Sequence, residues 1–352
     1  MMTARKIEGV CVWEGREMAA SDRWIIELTQ AEIATLDAAV ATAMRRGLPW
    51  HELTRESFPL PGLEERLAAA RAELEEGSGM VKLRRIPVER YEPADLKRLW
   101  YGLGLHLGTP RFQNARGELM REICDEGAGI GERYGAVETD KGTFLSSYAR
   151  TLSNGALRFH TDRCDVVGLL CVSQAGSGGV STLCSSAAVH NAILERRPDL
   201  AAVLYQPYHR SRFGEEKGAE RLAYPLPIFG QRDGKFTSHY SLTYIEAAEL
   251  LPDIPKMTAA QREALDMLMA VAKELSFEMT LEPGDIQLLN NHVIYHGRTP
   301  FTDAPENGRK RLLHRLWLAM PNSRPLPEDH AVLWGSVAPG ALRGGIGQEA
   351  MG

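Results

Sequence analysis

The residues best equipped for chemistry lie in Ala156-Leu157-Arg158-Phe159-His160-Thr161-Asp162. This segment reads as a short strand, on which side chains alternate faces with period two. His160 and Asp162 therefore point the same way and Thr161 the other. An imidazole and a carboxylate converging from one strand supply two ligands of a facial metal site. Two histidines with one carboxylate leave positions open for non-haem Fe(II) oxygen chemistry. The third ligand is sought far downstream, in the stretch from Leu288 to Arg298, where His296 is the preferred candidate. His292 lies four residues earlier and would share its face on a strand, so it stands as the rival. Taken alone, a His-x-Asp is more often a hydrogen-bonded pair at a strand end than a metal site.

The segment Arg309-Lys310-Arg311-Leu312-Leu313-His314-Arg315-Leu316-Trp317-Leu318 adds weight. Read as a strand, it puts Arg311, Leu313 and Arg315 on one face. Two inward arginines on an apolar strand are costly unless each meets an anion. If a 2-oxo acid chelates the metal, its distal carboxylate needs a cation, and the guanidinium fork matches both oxygens. His314 faces the other way and reads as structural. No His-Glu-x-x-His is present, which argues against a zinc hydrolase.

The chain changes character along its length. A capping box at Thr29-Gln30-Ala31-Glu32 opens a helix carrying Ile33, Leu36, Val40 and Met44 at helical spacing, closed near Gly47. A second helix spans about 63–76, a strand follows at 80–87, and a third helix covers 93–106. A short strand is expected at 122–125. From Thr143 onward short apolar runs alternate with turns, the pattern of a β sandwich or barrel with inserted helices. Strands are expected at 144–148, 157–161, 166–172, 181–184, 279–281, 286–290 and 312–319, and helices at 186–195, 244–250 and 258–275. Pro283-Gly284-Asp285 is a turn launching the strand that leads to His296. Gln113, Asn114, Tyr148 and Tyr240 are candidates to line a pocket. Asn291 either bonds to the metal ligands or ends its strand. His209, Arg210 and Arg212 form a basic loop whose plainer role is a solvated surface.

Of the 352 residues 44% are hydrophobic and 25% charged, an ordinary globular composition. A net charge of -5 gives no electrostatic reason for a nucleic-acid or anionic-membrane partner. The five cysteines are scattered, odd in number and without a Cys-x-x-Cys pair, which points to a reducing interior, with Cys164 and Cys171 as small core residues. The first residues lack the apolar stretch of a signal peptide, and no run approaches the roughly 20 apolar residues of a membrane span. A cytoplasmic protein follows.

His160-Thr161-Asp162, the Gly178-Gly179-Val180-Ser181-Thr182 turn, Pro283-Gly284-Asp285, Asn291, His296-Gly297-Arg298 and Lys310-Arg311-Leu312-Leu313-His314-Arg315 occur in the order seen in taurine-dioxygenase-like enzymes. Over roughly 80–335 the chain resembles the TauD/TfdA family of Fe(II)/2-oxoglutarate-dependent dioxygenases. The resemblance implies a mainly β fold with flanking helices, built on a double-stranded β-helix, or jelly-roll. Residues 1–79 then form a helical region packed on the core, 80–335 the dioxygenase domain and 336–352 a Gly-rich tail. It implies His160, Asp162 and His296 as iron ligands and Arg311 as the partner of the distal carboxylate of 2-oxoglutarate. Ser181 stands where the family has a threonine on that carboxylate, and Thr182 is next to it, so either hydroxyl is open for the role. Arg315 matches a second arginine that reaches the metal-side carboxylate or an anionic substrate.

The implied cofactors are Fe(II), 2-oxoglutarate and O2, and the implied reaction converts 2-oxoglutarate to succinate and CO2 while hydroxylating an unactivated C–H bond. The carboxylate of Asp162 argues for oxygenation, since related halogenases lack it. The gap from His296 to Arg311 (311 − 296 = 15) implies an enlarged turn through residues 303–307. The expected partner is a small polar or anionic molecule, with a homo-oligomer left open. Desaturation or cyclisation at the same site, and a cupin-like module that only binds, are the alternatives.

Overall fold

Segments of three to eight residues pair into two main sheets in this computed structural model, which describes residues 5–140, 142–213, 215 and 222–346. The larger sheet has seven strands in the order Ile25–Glu27, Met80–Arg84, Ile286–Asn290, Val166–Ser173, Leu312–Ala319 and Thr109–Arg111, with Met120–Ile123 also paired to Leu312–Ala319. The smaller has four: Phe277–Met279, Ser181–Ser185, Ile294–Arg298 and Leu157–His160. Pairing is antiparallel throughout these sheets except between Ile25–Glu27 and Met80–Arg84. The two sheets face one another: Val167, Leu169, Gln287, Leu313 and Arg315 of one and Leu157, Ser181, His296 and Arg298 of the other line a common cavity. This is the jelly-roll.

Both faces of the larger sheet are buried, which explains why its strands read as continuous apolar runs. Val166, Leu170, Leu288 and Leu316 point outward into a core shared with Leu36, Leu67, Leu99 and Leu103 of the helices Gln30–Arg45, Glu64–Glu75 and Pro93–Leu107. Each fully buried leucine contributes roughly 1.5–3 kcal/mol as an upper figure, so these helices are part of what holds the sheet. Thr29 starts the first of them: its hydroxyl accepts from the Glu32 amide at 3.3 Å, and the Glu32 carboxylate accepts from the Thr29 amide at 2.7 Å. Trp100 packs against the sheet at Gly168, donating through Nε1 to His314 O at 3.0 Å. Helices Ser186–Arg196, Pro198–Leu204 and Ala259–Glu274 cover the smaller sheet.

Several expectations need correction. The segment 144–148 is not one strand: Gly142–Leu145 is a strand, and a helix begins at Ser147 because Ser146 Oγ accepts from the Ala149 amide at 3.1 Å. The strand expected at 279–281 is Phe277–Met279, and that at 122–125 is Met120–Ile123, both set by their partners' register. His209, Arg210 and Arg212 are not a solvated loop. Residues Pro207–Ser211 form a strand paired with Ala223–Pro227, and Arg210 is fully buried, donating to Pro227 O at 3.1 Å and His239 O at 2.7 Å.

The enlarged turn before Arg311 consists of the short strand Phe301–Thr302 and a 3-10 turn at Pro305–Asn307. Of the Gly-rich tail, Gly345 donates to Arg163 O and Ile346 to Phe112 O, at 2.7 and 2.8 Å, so the segment lies along the jelly-roll. Residues 347–352 of that tail, and the first four residues of the chain, lie outside the described residues. All five cysteines are free, and no helix among the described residues is long and apolar enough to cross a membrane.

His292, the rival ligand, belongs to a buried network under the site. Its Nε2 lies 2.8 Å from Asp165 Oδ1 and its Nδ1 2.9 Å from Thr237 Oγ1, and a proton on Nε2 satisfies both contacts. Arg343 of the tail reaches the same Asp165 oxygen at 2.8 Å.

Two outcomes follow from this packing. Gly284 has φ +87, and a Cβ there would sit 2.1 Å from Ile86 O. Gly284→Ala should cost roughly 2–5 kcal/mol in urea melts, since both left-handed strain and a backbone clash result. An unchanged midpoint would contradict the turn. Burial pushes both His292 and His314 from the ordinary 6.5 down to about 4, against the pull of Asp165 and Glu122. Between those values the unfolded chain takes up protons that the folded one refuses. Stability is therefore whole above pH 6.5 and falls toward pH 4, by on the order of 1.4 kcal/mol per pH unit for each histidine. Urea midpoints at pH 7, 6 and 5 should decline in that order, and His314→Asn should flatten the decline.

Candidate functional site

Strand Leu157–His160 pairs with Ile294–Arg298 so that His160 stands directly opposite His296. Opposed residues of an antiparallel pair share a face, which brings the two imidazoles together with ring centroids 4.3 Å apart. The strand ends at His160, so Asp162 does not lie on it as expected. Asp162 still converges on the histidines because the chain beyond the strand is held from two sides: the Thr161 amide donates to Tyr240 O at 2.8 Å and the Asp162 amide to Asn291 Oδ1 at 2.9 Å. Asp162 Oδ1 is then 3.9 Å from His160 Nε2, and Oδ2 is 3.8 Å from His296 Nε2. One ligand atom from each of the three lies within 4.8 Å of the others.

Each donor is prepared for a cation. His160 Nδ1 lies 2.9 Å from Arg158 O, which places its proton there and leaves Nε2 with a lone pair toward the shared space. The His296 side chain makes no hydrogen bond among the described residues, and its Nδ1 is buried without a partner. Burial, reinforced by the neighbouring His160, pushes His296 down to about 3, so the ring is neutral. Burial alone would raise Asp162, but Arg315, both imidazoles and the Trp317 indole hold it below the ordinary carboxylate range. Trp317 Nε1 donates to Asp162 Oδ2 at 3.1 Å. Two imidazoles whose Nε2 atoms make no hydrogen bond among the described residues, with one carboxylate beside them, fit a divalent iron.

This cluster lines a cavity of about 50 Å³ whose wall also carries Ser181, Arg298, Arg311 and Arg315. Arg311 is 6% exposed, and its Nη1 is buried without a partner. Its guanidinium lies 5.2 Å from the centre of the Phe301 ring, with no carboxylate within 4.0 Å among the described residues. Burial pushes it down to about 10, the response of a cation short of an anion. Gly179, at φ +71, makes room: a Cβ there would be 2.9 Å from Arg311 Nε. Arg315 donates through Nε to Gln113 Oε1 at 2.6 Å and faces Asp162. Ser181 lines the cavity, whereas the Thr182 hydroxyl turns to the opposite face, 2.7 Å from where a Cβ on Gly297 would be.

Other expectations resolve less kindly. None of Gln113, Asn114, Tyr148 and Tyr240 lines the cavity; Gln113 instead clamps Arg315, and Asn114 and Tyr148 bond to each other and to Glu118. His292 and His314 are both buried away from the cluster. Asn291 does more than end a strand, since its Nδ2 also donates to Cys164 O at 3.0 Å. Trp317 was missed, although Arg311, Leu313, Arg315 and Trp317 recur at the spacing of one strand face.

Residues 45–317 match the family described as "Taurine catabolism dioxygenase TauD, TfdA family". FR-33289 synthase of Streptomyces rubellomurinus (strain ATCC 31215) is 29% identical over 343 residues, covering 95% of this chain and 96% of that protein. Taurine hydroxylase-like protein SAT17 of Stachybotrys chartarum (strain CBS 109288 / IBT 7711) is 30% identical over 321 residues, covering 89% of this chain and 80% of its own. The fold is shared with asparagine oxygenase in complex with Fe(II), 2S,3S-3-hydroxyasparagine and succinate, at TM-score 0.60 and 20% identity over 84% of this chain and 93% of that one. It is shared likewise with the non-heme iron oxygenase OrfP in complex with Fe and alpha-ketoglutaric acid, at TM-score 0.59 and 18% identity over the same shares. The chain belongs to the TauD/TfdA family and is an Fe(II)- and 2-oxoglutarate-dependent dioxygenase.

Proposed function

We propose that His160, Asp162 and His296 hold the iron, that Arg311 and Ser181 hold the distal carboxylate of 2-oxoglutarate, and that the enzyme hydroxylates a small polar or anionic molecule in the cytoplasm. The observation that carries this reading is a buried guanidinium with no carboxylate within 4.0 Å among the described residues, Arg311, sharing a small cavity with three converging metal donors. A module that merely bound a metal would not need that cation. Ser181 is favoured over Thr182 because its side chain faces the cavity.

When bound, Fe(II) with O2 and 2-oxoglutarate supplies the oxidising power, and the co-substrate leaves as succinate and CO2. The protein's own groups orient and shield. Asn291 and Trp317 hold the Asp162 backbone and carboxylate. Arg158 O keeps the His160 proton on Nδ1. Arg315 adds positive charge beside the carboxylate, and Gln113 keeps it from swinging out. Leu157, Val167, Leu169 and Leu313 keep water from the cavity walls. A charged 2-oxo acid is thus met by fixed cations in a water-poor space, where such interactions are strongest.

Single-turnover succinate formation with Fe(II) and 2-oxoglutarate is the decisive measurement, and the His160→Ala, Asp162→Ala double variant should abolish it. Turnover equal to wild type would refute the assignment. Arg311→Met should weaken 2-oxoglutarate by about 10- to 100-fold, the scale of a lost charge-assisted pair, read from the visible band of the anaerobic Fe(II)–2-oxoglutarate chelate. Asn291→Ala leaves the Asp162 amide unpartnered and should lower Fe(II) affinity by about 10- to 100-fold, with the thermal midpoint falling as well. Iron affinity that stays level in this variant would remove Asn291 from any part in placing Asp162.

A further inference from the structure

A second, larger cavity of about 750 Å³ opens beside the metal cluster, with Thr151, Leu157 and His160 lining both. Its volume suits a small organic molecule, and its wall carries Arg150, Arg158 and Arg262 with Asp140, Glu246 and Glu249. Two of the arginines are neutralised in place. Arg158 donates to both oxygens of Glu246, at 3.1 and 2.6 Å, and Arg262 is 2.5 Å from Glu249. Asp140 is exposed at the mouth, at the end of the strand pair Ala136–Thr139 and Gly142–Leu145.

Arg150 differs from its neighbours. It sits in the short helix Ser147–Thr151, its Nε donates to Leu145 O at 3.0 Å, and its guanidinium rests on the Phe144 ring at 5.2 Å. Among the described residues its two terminal nitrogens make no hydrogen bond, and no carboxylate lies within 4.0 Å. Partial burial and the charge of Arg158 both lower its pKa, only partly offset by the more distant Glu246. Its position is firm, because Arg298, next to the His296 strand pairing, donates to Thr151 O, Ser153 O and Gly155 O at 3.3, 2.6 and 2.5 Å. The loop that follows Arg150 is therefore tied to the strand that carries His296.

We propose that Arg150 is the specificity-determining residue of this chamber, taking an acidic group of the substrate, a carboxylate, sulfonate or phosphonate, with its two free guanidinium nitrogens. The inference rests on the oxygenase reading above and adds the charge of the substrate and the residue that reads it. A planar fork held against an aromatic ring presents two donors to two oxygens of one acid group. The acid is thereby anchored at the chamber wall, and the remainder of the molecule lies toward His160.

The test uses full-length protein loaded anaerobically with Fe(II) and 2-oxoglutarate, titrated calorimetrically with butyrate, 1-propanesulfonate and propylphosphonate, and with butyramide as the uncharged counterpart. At least one acid should bind more tightly than the amide. Arg150→Met should weaken that acid by about 10-fold or more, Arg150→Lys should restore part of the loss, and the amide should bind both proteins alike. Should Arg150→Met melt early, Arg150→Gln serves for the same comparison. Acids that bind no better than the amide, or that bind Arg150→Met as they bind wild type, overturn the proposal. Wild-type succinate release from 2-oxoglutarate alone separates the two readings. Its absence defeats the oxygenase assignment, whereas its presence without acid preference defeats only the role of Arg150.

Discussion

The pairing of strand Leu157–His160 with strand Ile294–Arg298 is the constraint on which the rest of the molecule depends. His160 and His296 oppose each other in that register, and a slip of one residue would turn one imidazole to the far side of the sheet. The register shifts immediately after, between His296 and Arg298, where the two strands part company in step. On its other edge Ile294–Arg298 pairs with Ser181–Ser185, setting Ser181 opposite Arg298. One central strand thus places a metal donor, a cavity-lining hydroxyl and the arginine that ties down the loop after Arg150.

Charge is the second organising fact. Arg298, Arg311 and Arg315 are each less than a tenth exposed, and the carboxylate nearest them on the cavity wall is Asp162. Removing three guanidiniums from water is tolerable only if anions or fixed dipoles meet them. Arg298 donates through its terminal nitrogens to three backbone carbonyls, and Arg315 bonds to Gln113 and lies in the field of Asp162. Arg311 has the Phe301 ring and, among the described residues, no carboxylate within 4.0 Å of its guanidinium. Beneath the cluster a second buried set, Asp165 with His292 and Arg343, is internally complete. Two chemically similar groups of residues therefore differ in one respect: one is satisfied and structural, the other is left open.

The outer helices and the site are linked through the larger sheet. Strand Leu312–Ala319 turns Arg315 and Trp317 inward to the cavity while Leu316 and Leu318 pack outward against the N-terminal helices. Packing on one face of the strand thus holds the positions of the functional groups on the other. The chamber carrying Arg150 opens beside the cluster, with strand Leu157–His160 as one wall and helix, hairpin and loop segments as the others. A firm centre with a wall of loops is the usual division between chemistry and specificity in such folds.

Period-two alternation and local turn chemistry made much of this legible in the amino-acid order. Arg311 and Arg315 on one face, the Thr29 cap and the Pro283-Gly284-Asp285 turn all depend on residues close together in the chain. Arg210 was misread because its charge says nothing of the strand partner that buries it, and the 144–148 segment because a serine cap outcompeted β propensity. Asn291 was left undecided between two roles, since its partners Asp162 and Cys164 are distant in sequence. The residue types alone determined which side chains are capable of holding iron and a diacid. Only the tertiary structure decided that His292 is enclosed with Asp165 while His296 stays free, because burial and hydrogen-bond partners are set by segments that meet across the fold.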